Sequence, residues 1–140
     1  MTSVIAIVLV IVLLAVALLH VYWAFGGTWA SNAVIPVKVA SDRAVMPGPL
    51  PTLAVAVGLA GFTSLVVVKA WSLPLVLPVW LARYGVHGIA AIFGLRAIGE
   101  FNYVGFFKRR RDTAFARNDT RYYSPLCAII AILCLVVALS

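Results

Sequence analysis

The sequence predicts an all-α integral membrane protein built as a four-helix bundle. Of its 140 residues, 64% are hydrophobic and the mean hydropathy is +1.10, whereas soluble domains are about half apolar. The apolar residues form four runs separated by glycine, proline or charged segments, which is the pattern of successive helices. A chain of this size cannot hide so much apolar surface in a soluble core. We therefore expect a single transmembrane domain over residues 1–140.

The first apolar run predicts a helix over about residues 3–25. At 1.5 Å per residue, this run is long enough to cross a hydrocarbon layer of about 30 Å. It is longer than the apolar part of a signal peptide, and MTSV lacks the basic residues that precede one, so we expect the helix to be retained. Its end carries His20, Tyr22 and Trp23, which are typical of a membrane boundary, and then Gly27.

A second helix is predicted over about residues 51–68, after a long connection at 28–50. The connection contains apolar pieces too short to span, and we expect it to cover the helix ends as a lid. Within the helix, Ala54, Gly58 and Gly61 fall on one face. Small residues in this pattern allow close approach of another helix, either in the same chain or in a homodimer.

The third helix is predicted over about residues 79–103 and carries two ionisable residues near its end. Arg96 and Glu100 lie one helical turn apart, where opposite charges pair. Ionisable groups within membrane spans are costly and are usually paired or functional. Two interpretations follow: a structural Arg96–Glu100 clamp, or part of a polar pocket.

The fourth helix is predicted over about residues 124–140. Ser124 is a good N-cap and Pro125 suits the first turn. The resulting helix is only about 22 Å long, which is short for a full span. Either Tyr122 and Tyr123 extend it, or the basic connection before it dips towards the membrane.

Basic residues predict the orientation of the bundle. Six of the eleven lie within residues 108–121, and Lys38 and Arg43 lie in the first connection. The positive-inside rule then makes the first and third loops cytoplasmic and places both termini outside, in the cytoplasmic membrane. Four consecutive residues are expected to contact anionic lipid headgroups rather than nucleic acid: Lys108, Arg109, Arg110 and Arg111.

Polar residues at this predicted cytoplasmic side form the candidate ligand site. They could surround a pocket for an anionic headgroup or a small amphipathic molecule: His20, Tyr22, Trp23, Arg96, Glu100 and Tyr103. We expect Asp119 to cap a turn, which is commoner than pairing with a basic neighbour. Because metal, phosphate-loop and nucleophile motifs are missing from the sequence, it predicts no metal, cofactor or catalytic residue.

Three classes of function remain open. A non-enzymatic binding or accessory module requires the fewest specific residues, and its partners would be membrane lipids or another membrane protein. A membrane enzyme acting on a lipid or quinone-like substrate would need His20 or Glu100 as acid or base, and their proximity beside a cavity would favour it. A small dimeric transporter would use Glu100 for coupling and would need a cavity near the midplane, although Glu100 lies near a helix end.

Three segments in this order, HVYWAFGG, FGLRAIGEFNYVGFFKR and FARNDTRYYSPLC, resemble a bacterial family of small four-helix integral membrane proteins classed as a domain of unknown function. The resemblance covers most of the chain and implies a protein of the bacterial inner membrane. It carries over no catalytic residue. From the chemistry of the residues themselves, we infer that eight positions are functionally important: His20, Trp23, Gly27, Arg96, Glu100, Tyr103, Asp119 and Pro125.

Overall fold

The protein is all-helical in its computed structural model, which describes residues 2–30, 47–74 and 77–140. The described residues contain four helices and no strand, which confirms the predicted fold class. The helices are α1 (Thr2–Ala24), α2 (Pro49–Trp71), α3 (Val79–Ile98) and α4 (Ala114–Leu139). Within α4, the segment Asp119–Tyr123 is π-helical, whereas the residues on either side of it are α-helical.

Three of these helices, α1, α2 and α4, are long and apolar enough to cross a membrane. The 20 residues of α3 would extend about 30 Å, but Arg83, His87 and Arg96 make it more polar than the others. Most of the lid predicted over 28–50, including its basic residues Lys38 and Arg43, falls within residues 31–46, outside the described residues. The orientation with both termini outside therefore stays a prediction.

The helices pack as two close pairs that share one core. α1 lies along α2 and α3 lies along α4, with further contacts of α1 with α4 and of α2 with α3. The Phe62 and Phe93 rings meet at 6.4 Å between centroids, while Leu65 lies against Gly85. From Phe62 to Leu65 the chain of α2 moves forward while its contacts on α3 move back from Phe93 to Gly85, so these two helices are antiparallel. The shared core includes Leu9, Leu13, Val66, Ile89, Ile130 and Val137.

The small-residue face of α2 points away from the described part of the bundle. Ala54, Gly58 and Gly61 are exposed, and a Cβ at either glycine would meet no described atom within 4 Å. The face of α2 that contacts the core instead carries Leu59 and Val66. Close helix packing on the small face is therefore not made inside the described chain, and a homodimer through it stays a prediction.

α3 ends at Ile98 rather than at the predicted residue 103. Gly99 adopts φ 90° and ψ −178°, a backbone conformation that glycine alone adopts readily and that stops the helix. A Cβ on Gly99 would overlap the carbonyl oxygen of Val104, and one on Gly105 (φ 91°) would overlap that of Ile98. The chain therefore closes a tight loop between these two glycines.

After this loop, the chain returns to the end of α3 and caps it. The N–H of Phe106 donates to the carbonyl of Ala97 at 2.9 Å, and the N–H of Phe107 donates to that of Ile98 at 3.4 Å. Carbonyls in the last turn of a helix lack partners within the helix, so these bonds replace missing ones. The loop is thus fastened to α3 by its own backbone.

We expect Gly99→Ala to lower the free energy of unfolding by about 1–3 kcal/mol, because an alanine must adopt a strained backbone and its Cβ meets Val104. Denaturation with SDS in mixed micelles measures this change. The matched control is Gly58→Ala, where space is open within a helix and alanine is the better helix former. Equal stability of the two variants would contradict the closed loop.

α4 begins earlier than the predicted residue 124. Thr113 is its N-cap, and the hydroxyl oxygen of Thr113 accepts a hydrogen bond of 3.0 Å from the N–H of Ala116. The helix includes Tyr122 and Tyr123, as the first of the two alternatives predicted. Its 26 residues extend about 39 Å, which removes the apparent shortness of the last span.

Candidate functional site

A fully buried carboxylate, Asp119, lies in the π-helical segment of α4 and binds residues of α3 and of the connection between the two helices. It has no exposed surface. Its Oδ1 accepts a hydrogen bond of 2.9 Å from Arg96 Nη2. Its Oδ2 accepts from the Gly105 N–H (2.8 Å), Lys108 Nζ (2.9 Å) and Ser124 Oγ (3.1 Å). Two cations and two neutral donors around one carboxylate are the surroundings of an ionised aspartate.

Lys108 is buried with Asp119 and is 2% exposed. Its ammonium donates three hydrogen bonds, to Asp119, to the Gly105 carbonyl (2.8 Å) and to Thr120 Oγ1 (2.6 Å). These bonds use every proton of the ammonium. The predicted lipid-headgroup role of Lys108 is therefore wrong, because the side chain lies inside the protein.

Lys108 belongs to a run of four basic residues at 108–111, the basic quartet, and the three arginines of this quartet are exposed. The Arg110 guanidinium lies over the Tyr103 ring, 5.6 Å from its centroid, and Arg111 Nε donates to the Lys108 carbonyl at 3.4 Å. The backbone N–H of Arg109 donates to the Phe101 carbonyl at 3.1 Å, which directs the chain back along the loop. Within this run of four basic residues, only the three arginine side chains are exposed, and their contact with lipid headgroups stays a prediction.

The π-helical segment of α4 positions Asp119 and Ser124 together. The Ser124 N–H donates to the Asp119 carbonyl five residues earlier, which widens the turn. Pro125, which follows, has no N–H and disrupts a regular α-helical ladder, and a π turn accommodates such a break. The expectation that Ser124 caps the start of the helix is therefore wrong, since it lies within α4 and donates to Asp119.

Arg96 pairs with Asp119, so the predicted clamp between Arg96 and Glu100 is wrong. Gly99 ends α3 between them, and the one-turn neighbourhood that the clamp requires does not form. Glu100 Oε1 instead accepts a hydrogen bond of 2.8 Å from the N–H of Tyr103. The expectation that Asp119 caps a turn is also wrong, because its carboxylate forms ion pairs with Arg96 and Lys108.

The Arg96 guanidinium keeps donors that the described protein does not use. Its Nη2 binds Asp119, but Nη1 is buried without an acceptor among the described residues. A buried unsatisfied donor costs about 1–3 kcal/mol. Because two cations share one carboxylate, the cluster also carries an excess positive charge.

A shallow, open depression lies beside this guanidinium. Its volume is about 420 Å³, within the usual range of small-ligand sites. Five of the described residues line it: Leu95, Arg96, Gly99, Glu100 and Val104. Arg96 and Glu100 thus share one surface without forming an ion pair among the described contacts.

The aromatic residues at the end of α1 form a separate cluster. His20 Nδ1 donates to the Val16 carbonyl at 2.8 Å, and its ring meets Trp23 edge-on at 5.2 Å. Trp23 Nε1 donates to the Trp29 carbonyl at 2.9 Å, and the Trp29 N–H donates to the Tyr22 hydroxyl at 3.3 Å. Within the described ranges, none of these contacts reaches the depression. The predicted six-residue site therefore falls into two parts.

The Asp119 cluster offers no free nucleophile or base. Ser124 is fully buried and donates to Asp119, while Lys108 is saturated with acceptors. In the part of the chain that the structure describes, no group of three or more His, Cys, Asp or Glu residues could hold a metal ion. The arrangement can fasten helices together and present one guanidinium to an anion.

Comparison with curated proteins and with solved structures finds no match. A family model described as "Protein of unknown function (DUF3995)" matches residues 13–134. The match includes the second half of α1, the whole of α2 and α3, the Asp119 cluster and the depression. It confirms the resemblance to a family classed as a domain of unknown function. The chain therefore belongs to this family, DUF3995.

Proposed function

We propose that the protein is a non-enzymatic binding or accessory module of the membrane. It holds an amphipathic molecule with an anionic group in the depression beside Arg96. The observation that carries this proposal is that Arg96 binds Asp119 through Nη2 while 35% of its side chain stays exposed and lines the depression. A phosphate or carboxylate oxygen would approach this exposed part of the side chain, since arginine pairs well with such anions.

The charge around Arg96 supports an anionic occupant. Asp119 balances only one of the two cations that it contacts, and attraction between charges is stronger at a poorly solvated site than in water. Leu95 and Val104 add apolar walls. A headgroup at Arg96 with an apolar chain along these walls fits an amphipathic molecule.

Two observations favour this function over the enzyme and the transporter. His20 bonds within its own helix and Glu100 bonds within its own loop, so neither serves the other as an acid–base partner. The depression lies at the end of α3, whereas coupling sites of transporters usually lie near the midplane.

The same proposal places this end of the bundle at the cytoplasmic face of a bacterial inner membrane. Five exposed arginines lie along or beside the connection between α3 and α4 and suit anionic headgroups there: Arg109, Arg110, Arg111, Arg117 and Arg121. Lys108 does not belong to this surface. Membrane lipids are accordingly the partners that we propose first.

Native mass spectrometry of the protein in mild detergent tests the site. We expect the wild type to retain an amphipathic molecule and Leu95→Trp to lose it, because Leu95 is 68% exposed and an indole there would fill the depression without touching the Arg96–Asp119 pair. Ile129→Trp is the matched control, since Ile129 is exposed on α4 and does not line the depression. Wild-type spectra without an adduct, or an adduct retained by Leu95→Trp, would overturn the proposal.

A further inference from the structure

We propose further that the occupant carries a zwitterionic headgroup: a phosphate at Arg96 and a primary ammonium at Glu100, as in a phosphoethanolamine lipid. This inference rests on the proposed function and names the chemical class of its ligand. Its basis is that the depression presents a cation and a carboxylate that the fold keeps from neutralising each other.

The separation of the two charges follows from their other partners. Asp119 binds Arg96 Nη2 at 2.9 Å, and the Tyr103 N–H binds Glu100 Oε1 at 2.8 Å. The two side chains are thus held by different groups, although both line the depression. The tight loop between Gly99 and Gly105 maintains this arrangement, because Glu100 lies in this loop and not in the helix that carries Arg96.

Each charge excludes one simple class of ligand. A purely anionic headgroup would meet Arg96 favourably but would lie near the Glu100 carboxylate, which repels it. A purely cationic headgroup would have the opposite problem. A headgroup with both charges satisfies Arg96 and Glu100 together, since the Tyr103 N–H occupies only Oε1 of the Glu100 carboxylate in the hydrogen bond described above.

The lining also distinguishes a primary from a quaternary ammonium. Trimethylated ammonium groups are usually held by aromatic rings through cation–π contacts. Among the residues that the structure describes, no aromatic side chain lines this depression, whose apolar members are Leu95 and Val104. A carboxylate instead favours an ammonium that can donate hydrogen bonds.

The test measures lipid binding to delipidated, full-length protein in detergent by native mass spectrometry. The probes are dioleoyl lipids with identical chains: phosphatidylethanolamine, its N-methyl and N,N-dimethyl derivatives, phosphatidylcholine and phosphatidylglycerol. We expect affinity to fall with each methyl group, with ethanolamine bound about tenfold more tightly than choline. Soluble phosphoethanolamine should bind far more weakly than the lipid; equal binding would overturn the assignment to a lipid.

Glu100→Gln isolates the ammonium contact. Its amide oxygen can still accept from the Tyr103 N–H, so the loop is retained. We expect this variant to lose the preference for ethanolamine over choline while phosphatidylglycerol binds as tightly as before or more tightly. Asp112→Asn, which changes an exposed carboxylate outside the depression, should leave the preference intact.

The outcomes separate this inference from the proposed function. The zwitterion site is supported if the wild type binds phosphatidylethanolamine more tightly than phosphatidylcholine and Glu100→Gln does not. Equal binding of all headgroups, or an ethanolamine preference that survives in Glu100→Gln, would overturn it while leaving the proposed function in place, provided that Leu95→Trp abolishes binding. Binding that Leu95→Trp does not affect would overturn both.

Discussion

Asp119→Asn is expected to lower the free energy of unfolding by about 3–5 kcal/mol, the usual cost of removing one member of a buried ion pair. The amide keeps nearly the same shape but leaves Arg96 and Lys108 without a counter-charge. The Lys108 ammonium suffers most because it is 2% exposed and cannot turn to water. Denaturation with SDS in mixed micelles, followed by circular dichroism, measures the change.

The matched control is Asp112→Asn, which makes the same chemical change at an exposed position just before α4. Surface substitutions of this kind usually stay within about 0.5 kcal/mol. If both variants unfolded at the same SDS fraction, the buried cluster would not be the element that holds α3 to α4.

The second large effect concerns the basic quartet. We expect Lys108→Met to destabilise the protein by about 2–4 kcal/mol, because methionine preserves the buried volume but takes a hydrogen-bond donor from Asp119 and from the Gly105 carbonyl, and each such loss costs about 1–3 kcal/mol. Arg109→Met removes a neighbouring charge of the same sign. Because the Arg109 side chain is exposed, its loss should change stability by no more than about 0.5 kcal/mol.

The variant Lys108→Met/Asp119→Asn separates a direct interaction from two independent effects. Residues in contact are usually not additive, so the double variant should be clearly less destabilised than the sum of the single ones. Strict additivity would contradict a direct interaction between Lys108 and Asp119, and equal effects of Lys108→Met and Arg109→Met would contradict the burial of Lys108.

Local pattern was enough to predict the fold class. Long apolar runs determine membrane-spanning helices because an unpaired backbone is too costly in lipid, and this requirement acts on each segment separately. The cost of charges in a membrane span led us to expect a polar site near the end of α3; Arg96 and Glu100 both line a depression there, and its role as a ligand site stays a prediction.

Sequence alone could not assign the partners within that site. The spacing of Arg96 and Glu100 favours a pair only if the helix continues through both, and the backbone at Gly99 ends it. The presence of a glycine does not by itself end a helix, because Gly94 lies within α3 while Gly99 terminates it. Close approach of Val104 and Gly105 distinguishes the two positions.

By itself, the sequence determined an all-helical membrane protein with a basic connection before its last helix. Only the tertiary structure decided that Lys108 is the buried member of four consecutive basic residues and that Asp119 is the carboxylate which binds it. Hydropathy and helical spacing describe neighbours along the chain. An ion pair in a buried site depends on which distant groups the folded backbone brings within about 3 Å, and this packing is not encoded in any short segment.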